Sequence, residues 1–546
     1  MRITRMMLTI IVVATVLSSC KTSINTIPVP AGSVEPVFAV AKKSELTEDE
    51  KKAWNHADLV QDSIPGMSTN LAYDFLKGKK GKQVVVAIVD SGIDLEHEDL
   101  KDVAWVNTGE VPNNGKDDDN NGFIDDINGW NFLGDIYKEN AELYRIIKDE
   151  SIVDAETLKR AKKDYEFKVK EATQNKQRYG QILQAVTFAN TNIVKELNKK
   201  TYTKDDLSSL DTSSPELSRS VAIASQMFDL GLNSIQEAID ELTSLVDSAE
   251  SLLNGEAIKK DYRSVLNNDE NSMDIKIYGN NKSSHTEKKE SHGTHVSGIV
   301  AASRDNGVGM NGVATNVKIM AVRTVPDGDE YDKDVALAIR YAVDNGAKVI
   351  NTSFGKGYSP KVQWVYDAIK YAAEKDVLIV NAAGNDSKDI DVEVTYPNDT
   401  PDMVNEISDN FLTIGAISSS YDKNLPASFT NYGKMNVDIF APGVAIYSTT
   451  PENEYQYKPG TSMASPAVAG IAALIRSYYP ELTAAQVKKI IMNSGTKIDI
   501  QVVKPGSISR DKPDGEMVPF SDLSVTGRIA NAYNALRMAD AMVKGK

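Results

Sequence analysis

The chain has 546 residues, 41% hydrophobic and 25% charged, which excludes wholesale disorder and fibrous repeats. That length suits one large catalytic domain or two to three smaller ones. The 61 Lys+Arg against 77 Asp+Glu give a formal charge of −16, which repels phosphate backbones and disfavours nucleic acid as a partner. A single cysteine, Cys20, rules out an intrachain disulfide and a thiolate zinc site.

Residues 1–20 read MRITRMMLTIIVVATVLSSC. Arg2 and Arg5 form a positive start, and the apolar run Met6–Leu17 is shorter than the roughly 18 residues needed to cross a bilayer. It has the proportions of a signal-peptide core. Leu17-Ser18-Ser19-Cys20 resembles a bacterial lipobox, which implies removal of a signal peptide at 1–19 and lipid modification of Cys20. No later segment could span a membrane, so anchoring would rest on that lipid. The expected setting is a bacterial cell envelope, extracytoplasmic, at the outer membrane or cell surface. Residues 20–45 carry Pro28, Pro30 and Pro36 and read as a flexible tether.

Residues 46–135 alternate strand-like runs with Gly/Asn/Asp turns, and Val84–Val89 has the continuous β-branched character of a strand buried on both faces. Residues 136–285 differ. Leu158, Ala161, Tyr165, Val169, Ala172, Tyr179, Ile182, Val186, Ala189, Ile193 and Leu197 step by threes and fours apart from one gap of seven, an apolar stripe along one helix. Ser214-Pro215-Glu216 is a helix start, and the run from Leu217 to Leu245 predicts a second arm. An inserted antiparallel hairpin is expected. Residues 286–546 return to α/β alternation, with strands near Ile319–Val322, Val349–Asn351 and Val377–Val380 and helices over Lys333–Asp344 and Lys361–Lys375. Such repeated units predict an α/β fold with a doubly wound, mostly parallel sheet, helices on both faces and chemistry at the carboxyl ends of strands.

Three segments place reactive groups where that architecture would use them: Asp90 in VAIVDSGID, His292 in SHGTHVSGIVAA and Ser462 in GTSMASP. Each alone has an ordinary structural reading. Together, in the order Asp, His, Ser and with their flanking residues, they resemble the subtilisin-like serine peptidases over about residues 65–135 and 280–540. The resemblance implies that Ser462 is the nucleophile, His292 its base and Asp90 the group that orients the imidazole. It also implies that Asn385, in VNAAGND, supports the oxyanion together with the Ser462 backbone N–H. His295, one turn on, is expected to be structural.

By the same resemblance Ser353, Phe354 and Gly355 would pair with an extended protein or peptide substrate, and Ala383 and Gly384 would line the opposite wall. Thr395 and Phe354 would make the primary pocket shallow. Asp117, Asp119, Asn121 and Asp125 space oxygen ligands like a calcium loop, though position twelve is Asn128 rather than glutamate. A structural calcium ion is the expected cofactor, with no organic one. Asp99 matches a further calcium ligand, but its expected partner loop, Ser303–Gly312, departs from the family in length and composition. About 60 residues separate Cys20 from the first catalytic strand, too few for the family's usual propeptide, and Gly527–Tyr533 resembles its closing helix. The insertion reads as surface decoration, since long loops are thermodynamically cheap. A serine endopeptidase is expected. The rival is a silent surface lipoprotein that binds a partner through the hairpin, and a replaced triad residue, absent here, would have favoured it.

Overall fold

The computed structural model describes residues 39–545 apart from 230, 231, 233, 267 and 286–289. The expected signal peptide, Cys20 and most of the tether lie outside these residues. The strands in chain order are β1 (Val84–Asp90), β2 (Gly129–Asn131), β3 (Val317–Arg323), β4 (Val349–Thr352), β5 (Leu378–Ala382), β6 (Phe411–Ile417), β7 (Ile439–Pro442), β8 (Ile446–Thr450), β9 (Glu454–Lys458), β10 (Thr496–Lys497), β11 (Gln501–Val503), β12 (Met517–Pro519) and β13 (Arg528–Ile529). Nine of them form one sheet in the order β10-β13-β7-β6-β5-β4-β1-β3-β2. It is parallel throughout except for the β10–β13 edge pair.

β1 shows why this sheet needs helices on both faces. Val84, Val86 and Ile88 point into one core and Ala87 and Val89 into the other. Each fully buried Val or Ile contributes about 1.5–3 kcal/mol. The first core is covered by helices that include His292–Ala301, Thr461–Tyr478 and Ala532–Lys544, and the second by Asp332–Asp344 and Val362–Glu374. The expected strands and helices of residues 317–380 appear within a residue or two of their expected bounds. In the register of the central strands Asp90 lies opposite Arg323, so the last residue of β1 emerges with its neighbours at the carboxyl edge.

Between β2 and the His292 helix the chain builds the helix Glu142–Lys148, a 43-residue helix Ala155–Leu197, and the helices Pro215–Asp229 and Ile235–Leu253. At 1.5 Å per residue the long helix reaches about 65 Å. Asp154 caps its start by accepting from Glu156 N and Thr157 N, and Asn198 ends it at φ +51. The second arm corrects the two-helix expectation, because it is two helices rather than one. Ser234 accepts from Glu237 N and caps a new start. Asn192 meets Glu216 and Ser220, while Lys176 pairs with Glu250, so Ile235–Leu253 runs back along the long helix. The chain rejoins the sheet edge at Asn280, which exchanges backbone hydrogen bonds with Asn131, ahead of the expected boundary at 285.

Candidate active site

Asp90 closes β1 and is fully buried. Its Oδ1 accepts from Ser91 N at 2.7 Å and lies 2.7 Å from Nδ1 of His292. His292 is the first residue of its helix, and the next residue explains the closeness. Gly293 N donates to Ser91 Oγ at 2.9 Å, and a Cβ on Gly293 would stand 2.6 Å from the Ser91 carbonyl oxygen. Only glycine lets the helix approach the Asp90 turn so closely. The outer part of the imidazole is exposed, its side chain keeping 38% of its accessible surface.

Ser462 is the second residue of the helix Thr461–Tyr478 and, unlike its neighbours, is only half-buried. Pro466 lies four residues on and has no N–H to give the Ser462 carbonyl. That carbonyl accepts instead from the hydroxyl of Ser353 at 3.0 Å. The exchange is reciprocal, since Ser462 Oγ donates to the Ser353 carbonyl at 2.9 Å. Among the described residues Ser462 Oγ has no hydrogen bond to His292, so the Asp–His contact is closed and the Ser–His contact is open in this rotamer.

Gly460 has φ +147, a conformation glycine tolerates, and a Cβ there would lie 3.6 Å from Ser462 N and 3.7 Å from Asn385 Nδ2. Two donors thus border one hollow that the missing side chain keeps open. Thr461 fixes the second of them. Its N–H and hydroxyl both donate to Asn385 Oδ1, at 2.9 and 3.0 Å, and the hydroxyl accepts from Gly384 N. With Oδ1 occupied, Asn385 presents its Nδ2 to the hollow. Sequence reasoning missed Thr461, although it stands inside GTSMASP.

Ser353, Phe354 and Gly355 leave the carboxyl end of β4, with Ser353 buried and Phe354 packed at the edge of the second core. Ala383 and Gly384 follow β5, and the Ala383 carbonyl accepts from Asn431 Nδ2. Thr395 lines a cavity of about 20 Å³ with Asn381, Asp399 and Thr413. His295 is buried, meets the Gln456 carbonyl through Nε2 at 3.0 Å, and is pushed down to about 3 by burial, so it stays neutral. Lys458 was also missed. It closes β9 and donates to Ser291 Oγ at 2.5 Å beside His292, and burial pulls its ammonium down while Asp90 opposes.

The acidic loop folds differently from the expected ligand set. Asp117 accepts from the N–H groups of Asn121 and Gly122, Asp125 from those of Asn114 and Gly115, and Glu110 from those of Asp118, Asp119 and Asp125, so all three hold turns. Asn121 accepts from Phe123 N and donates to Asp119 and Asp126. The carboxylates that converge are Glu110, Asp119 and Asp126, with ligand oxygens within 4.8 Å of one another. Burial pushes the Asp126 carboxyl up, Asp119 adds to this, and bonds from Tyr341, Asn107 and Asn121 oppose it. No Lys or Arg ion pair reaches the three among the described residues. An all-oxygen trio of acids fits a hard divalent cation. Asp99 accepts from Asn306 Nδ2, Met310 N and Tyr455 OH.

The subtilase family model matches residues 81–510. A thermophilic serine proteinase from Bacillus sp. (strain AK1) is 38% identical over 252 residues, covering 46% of this chain and 54% of that protein. Subtilisin DY from Bacillus licheniformis is 38% identical over 209 residues, covering 38% of this chain and 71% of that protein. A cell wall-associated protease from Bacillus subtilis is 35% identical over 218 residues, covering 40% of this chain and 22% of that protein. The chain thus spans about half the length of the first relative and less of the third.

Beside the Thr395 cavity, Asp399 is pushed up to about 7 by burial, which the Lys488 charge only partly offsets. Its Oδ2 has no partner among the described residues. An acid whose pKa is higher folded than unfolded disfavours the folded chain progressively as pH rises from about 4 to about 7. Asp399→Asn is therefore expected to match the wild type in urea midpoint near pH 4 and to gain on it by about 1.4 kcal/mol per pH unit through that window. Equal shifts at pH 4 and pH 8 would show that the carboxylate is already ionised when buried.

Proposed function

Because the chain belongs to the subtilase family, we propose that it is a serine endopeptidase that hydrolyses peptide bonds of extracytoplasmic proteins through Asp90, His292, Ser462 and Asn385. The observation that carries this reading is the 2.7 Å contact of Asp90 with His292 next to a helix start where Ser462 N and Asn385 Nδ2 border one hollow. Nothing in the site argues for the silent-lipoprotein alternative.

The reaction would start with rotation of the Ser462 hydroxyl from the Ser353 carbonyl to His292 Nε2. As Oγ bonds the scissile carbonyl carbon, its proton passes to Nε2, and Asp90 stabilises the imidazolium without taking the proton. The carbonyl oxygen becomes an oxyanion between Asn385 Nδ2 and Ser462 N. His292 then gives the proton to the leaving amine nitrogen, the C–N bond breaks, and the acyl group stays on Ser462 Oγ. Water, deprotonated by His292, attacks the acyl carbon, the bond from that carbon to Ser462 Oγ breaks as His292 returns the proton to Oγ, and the acid is released. An extended substrate would pair with Ser353–Gly355, which reads backbone and tolerates many sequences.

Glu110, Asp119 and Asp126 would hold a calcium ion whose charge replaces mutual repulsion with cross-linking of the loop. Cys20 would carry a lipid that anchors the protein on the outer side of a bacterial membrane. Similarity to a cell wall-associated protease supports an extracytoplasmic setting. Among the described residues no helix is long and apolar enough to cross a membrane.

Wild-type protein is expected to label with a fluorophosphonate probe and Ser462→Ala to stay unlabelled. Asn385→Ala should lower kcat about 10²–10³-fold with KM nearly unchanged. Labelling that survives in Ser462→Ala would assign the nucleophile elsewhere.

Chelation is expected to lower Tm by about 5–10 °C, and calcium to restore it. In Glu110→Gln the addition of calcium should leave Tm where chelation put it. A full calcium response in that variant would move the ion to another site.

For the anchor, growth with labelled palmitate should tag the wild type and leave Cys20→Ser untagged and released from membranes. A Cys20→Ser protein that stays membrane-bound would rule out lipid at this position as the anchor.

A further inference from the structure

The inserted helices meet the loops at the carboxyl edge of the sheet through charges that the hydrolytic steps do not use. Lys356 directly follows Ser353–Gly355 and is buried. Its ammonium donates to Glu142 Oε2 at 2.6 Å and to the Glu330 carbonyl at 2.7 Å, and it stands 2.8 Å from Asp332 Oδ1. Arg145, one turn along the short helix from Glu142, bonds both of its carboxylate oxygens, at 3.2 and 2.6 Å. The same guanidinium donates to the carbonyls of Asp329 and Glu330 and lies 3.7 Å from the Tyr331 ring centroid. Burial works against the Lys356 ammonium, but Asp332 and Glu142 outweigh it and hold the group charged.

Two further grips act on the same loops. Backbone pairing joins Asp327 to Tyr137 and Glu139, at 2.8 and 3.0 Å. At the start of the long helix, Arg160 donates to the Gly357 carbonyl, and Tyr358 OH donates to Asp164 Oδ2. On its other side Lys356 exchanges backbone hydrogen bonds with Tyr396 at 2.9 Å. The segment that begins at Ser353, whose carbonyl holds the Ser462 hydroxyl, is therefore fixed at its far end partly by inserted residues. A decorating element would be held by exposed, screened pairs such as Lys162–Glu150. Desolvated charges tolerate little displacement, because each depends on its partners staying in place.

We propose that the inserted segment is a working part of the substrate cleft. Glu142, Arg145 and Lys356 act as positioning residues that set the spacing of the Ser353–Gly355 segment and the Asp327–Tyr331 loop on the acyl side of the scissile bond. This rests on the reading of Ser353–Gly355 as the segment that pairs with substrate. Long peptides use that spacing and small substrates do not. A shift of the segment by about 1 Å can cost up to about 100-fold in turnover of a substrate that depends on it.

The test compares the full chain, wild type against Glu142→Gln and Glu142→Gln/Lys356→Met, on two substrates sharing the residue next to the scissile bond. One is a peptide extending four residues on the acyl side, and the other a single-residue ester. The variants are expected to raise KM for the extended peptide about 10-fold or more. Ester turnover and the rate of fluorophosphonate labelling should change less than about twofold. A merely structural role would lower Tm and reduce both substrates in parallel, and that outcome, or no change on either, overturns the proposal. Should the buried variants fail to fold, Arg160→Ala and Tyr358→Phe act on the more exposed grip, with a smaller rise in KM for the extended peptide alone expected and no such rise overturning it. A wild type inert to both probe and ester would instead overturn the hydrolytic reading itself.

Discussion

Arg323 ends β3 with no surface exposed to solvent, and it ties together the segments that make the site. Its Nε donates to Glu290 Oε1 at 2.6 Å, one terminal nitrogen to Asn131 Oδ1 and the Gly134 carbonyl, and the other to the Ile136 carbonyl. Glu290, two residues before His292, also accepts from Gly92 N, two residues after Asp90. One cation therefore fixes the turn that follows the aspartate, the approach to the histidine helix and the start of the inserted segment. Guanidinium suits this task because its donors are rigid and numerous. A buried charge with fewer partners would be costly, and here the partners are complete enough to make burial tolerable.

That tie works because the sheet is parallel. β4, β1 and β3 are adjacent and point the same way, so the residues after each of them surface along one edge. Ser353, Asp90 and the Asp327–Tyr331 loop all emerge there. The Ser462 helix enters from the first core with nearly every residue buried, and the proline inside it frees the carbonyl that Ser353 then binds. Ser465 of the same helix donates to Asn351 and to the Val380 carbonyl, which locks the helix start across β4 and β5. Packing and reactivity are thus set by the same few contacts. Ser462 can be held at the surface only because the rest of its helix is not.

The inserted segment changes meaning when its base is considered. Its outer helices pack on one another through small and aliphatic residues, as an amphipathic pattern predicts. Its base packs differently, through Leu143, Ile146 and Ala161 against Tyr358, together with the Glu142–Arg145–Lys356 charges. Glu142 and Arg145 stand at the i,i+3 spacing of a helical pair, but no spacing rule pointed to Lys356, far along the chain. The acidic loop teaches a similar lesson. Its ligand-like spacing was visible, but the carboxylates that face one another are Glu110, outside the expected run, Asp119 and Asp126.

By itself the sequence determined the α/β class, the strands and helices of residues 317–380 and the existence of an inserted helical segment, and its motifs singled out Asp90, His292, Ser462 and Asn385 as the residues proposed for the site. These are properties that local pattern carries: β-branched runs for buried strands, three-and-four spacing for helices, and short motifs whose residues are chemically required. Tertiary structure alone decided that Thr461 orients Asn385, that Arg323 joins three segments, that the second helical arm breaks in two, and that Lys356 is held by a carboxylate 214 positions away. Those outcomes depend on which groups meet after long-range closure, and on which of several equally polar side chains the backbone claims first. Composition and periodicity carry no record of either.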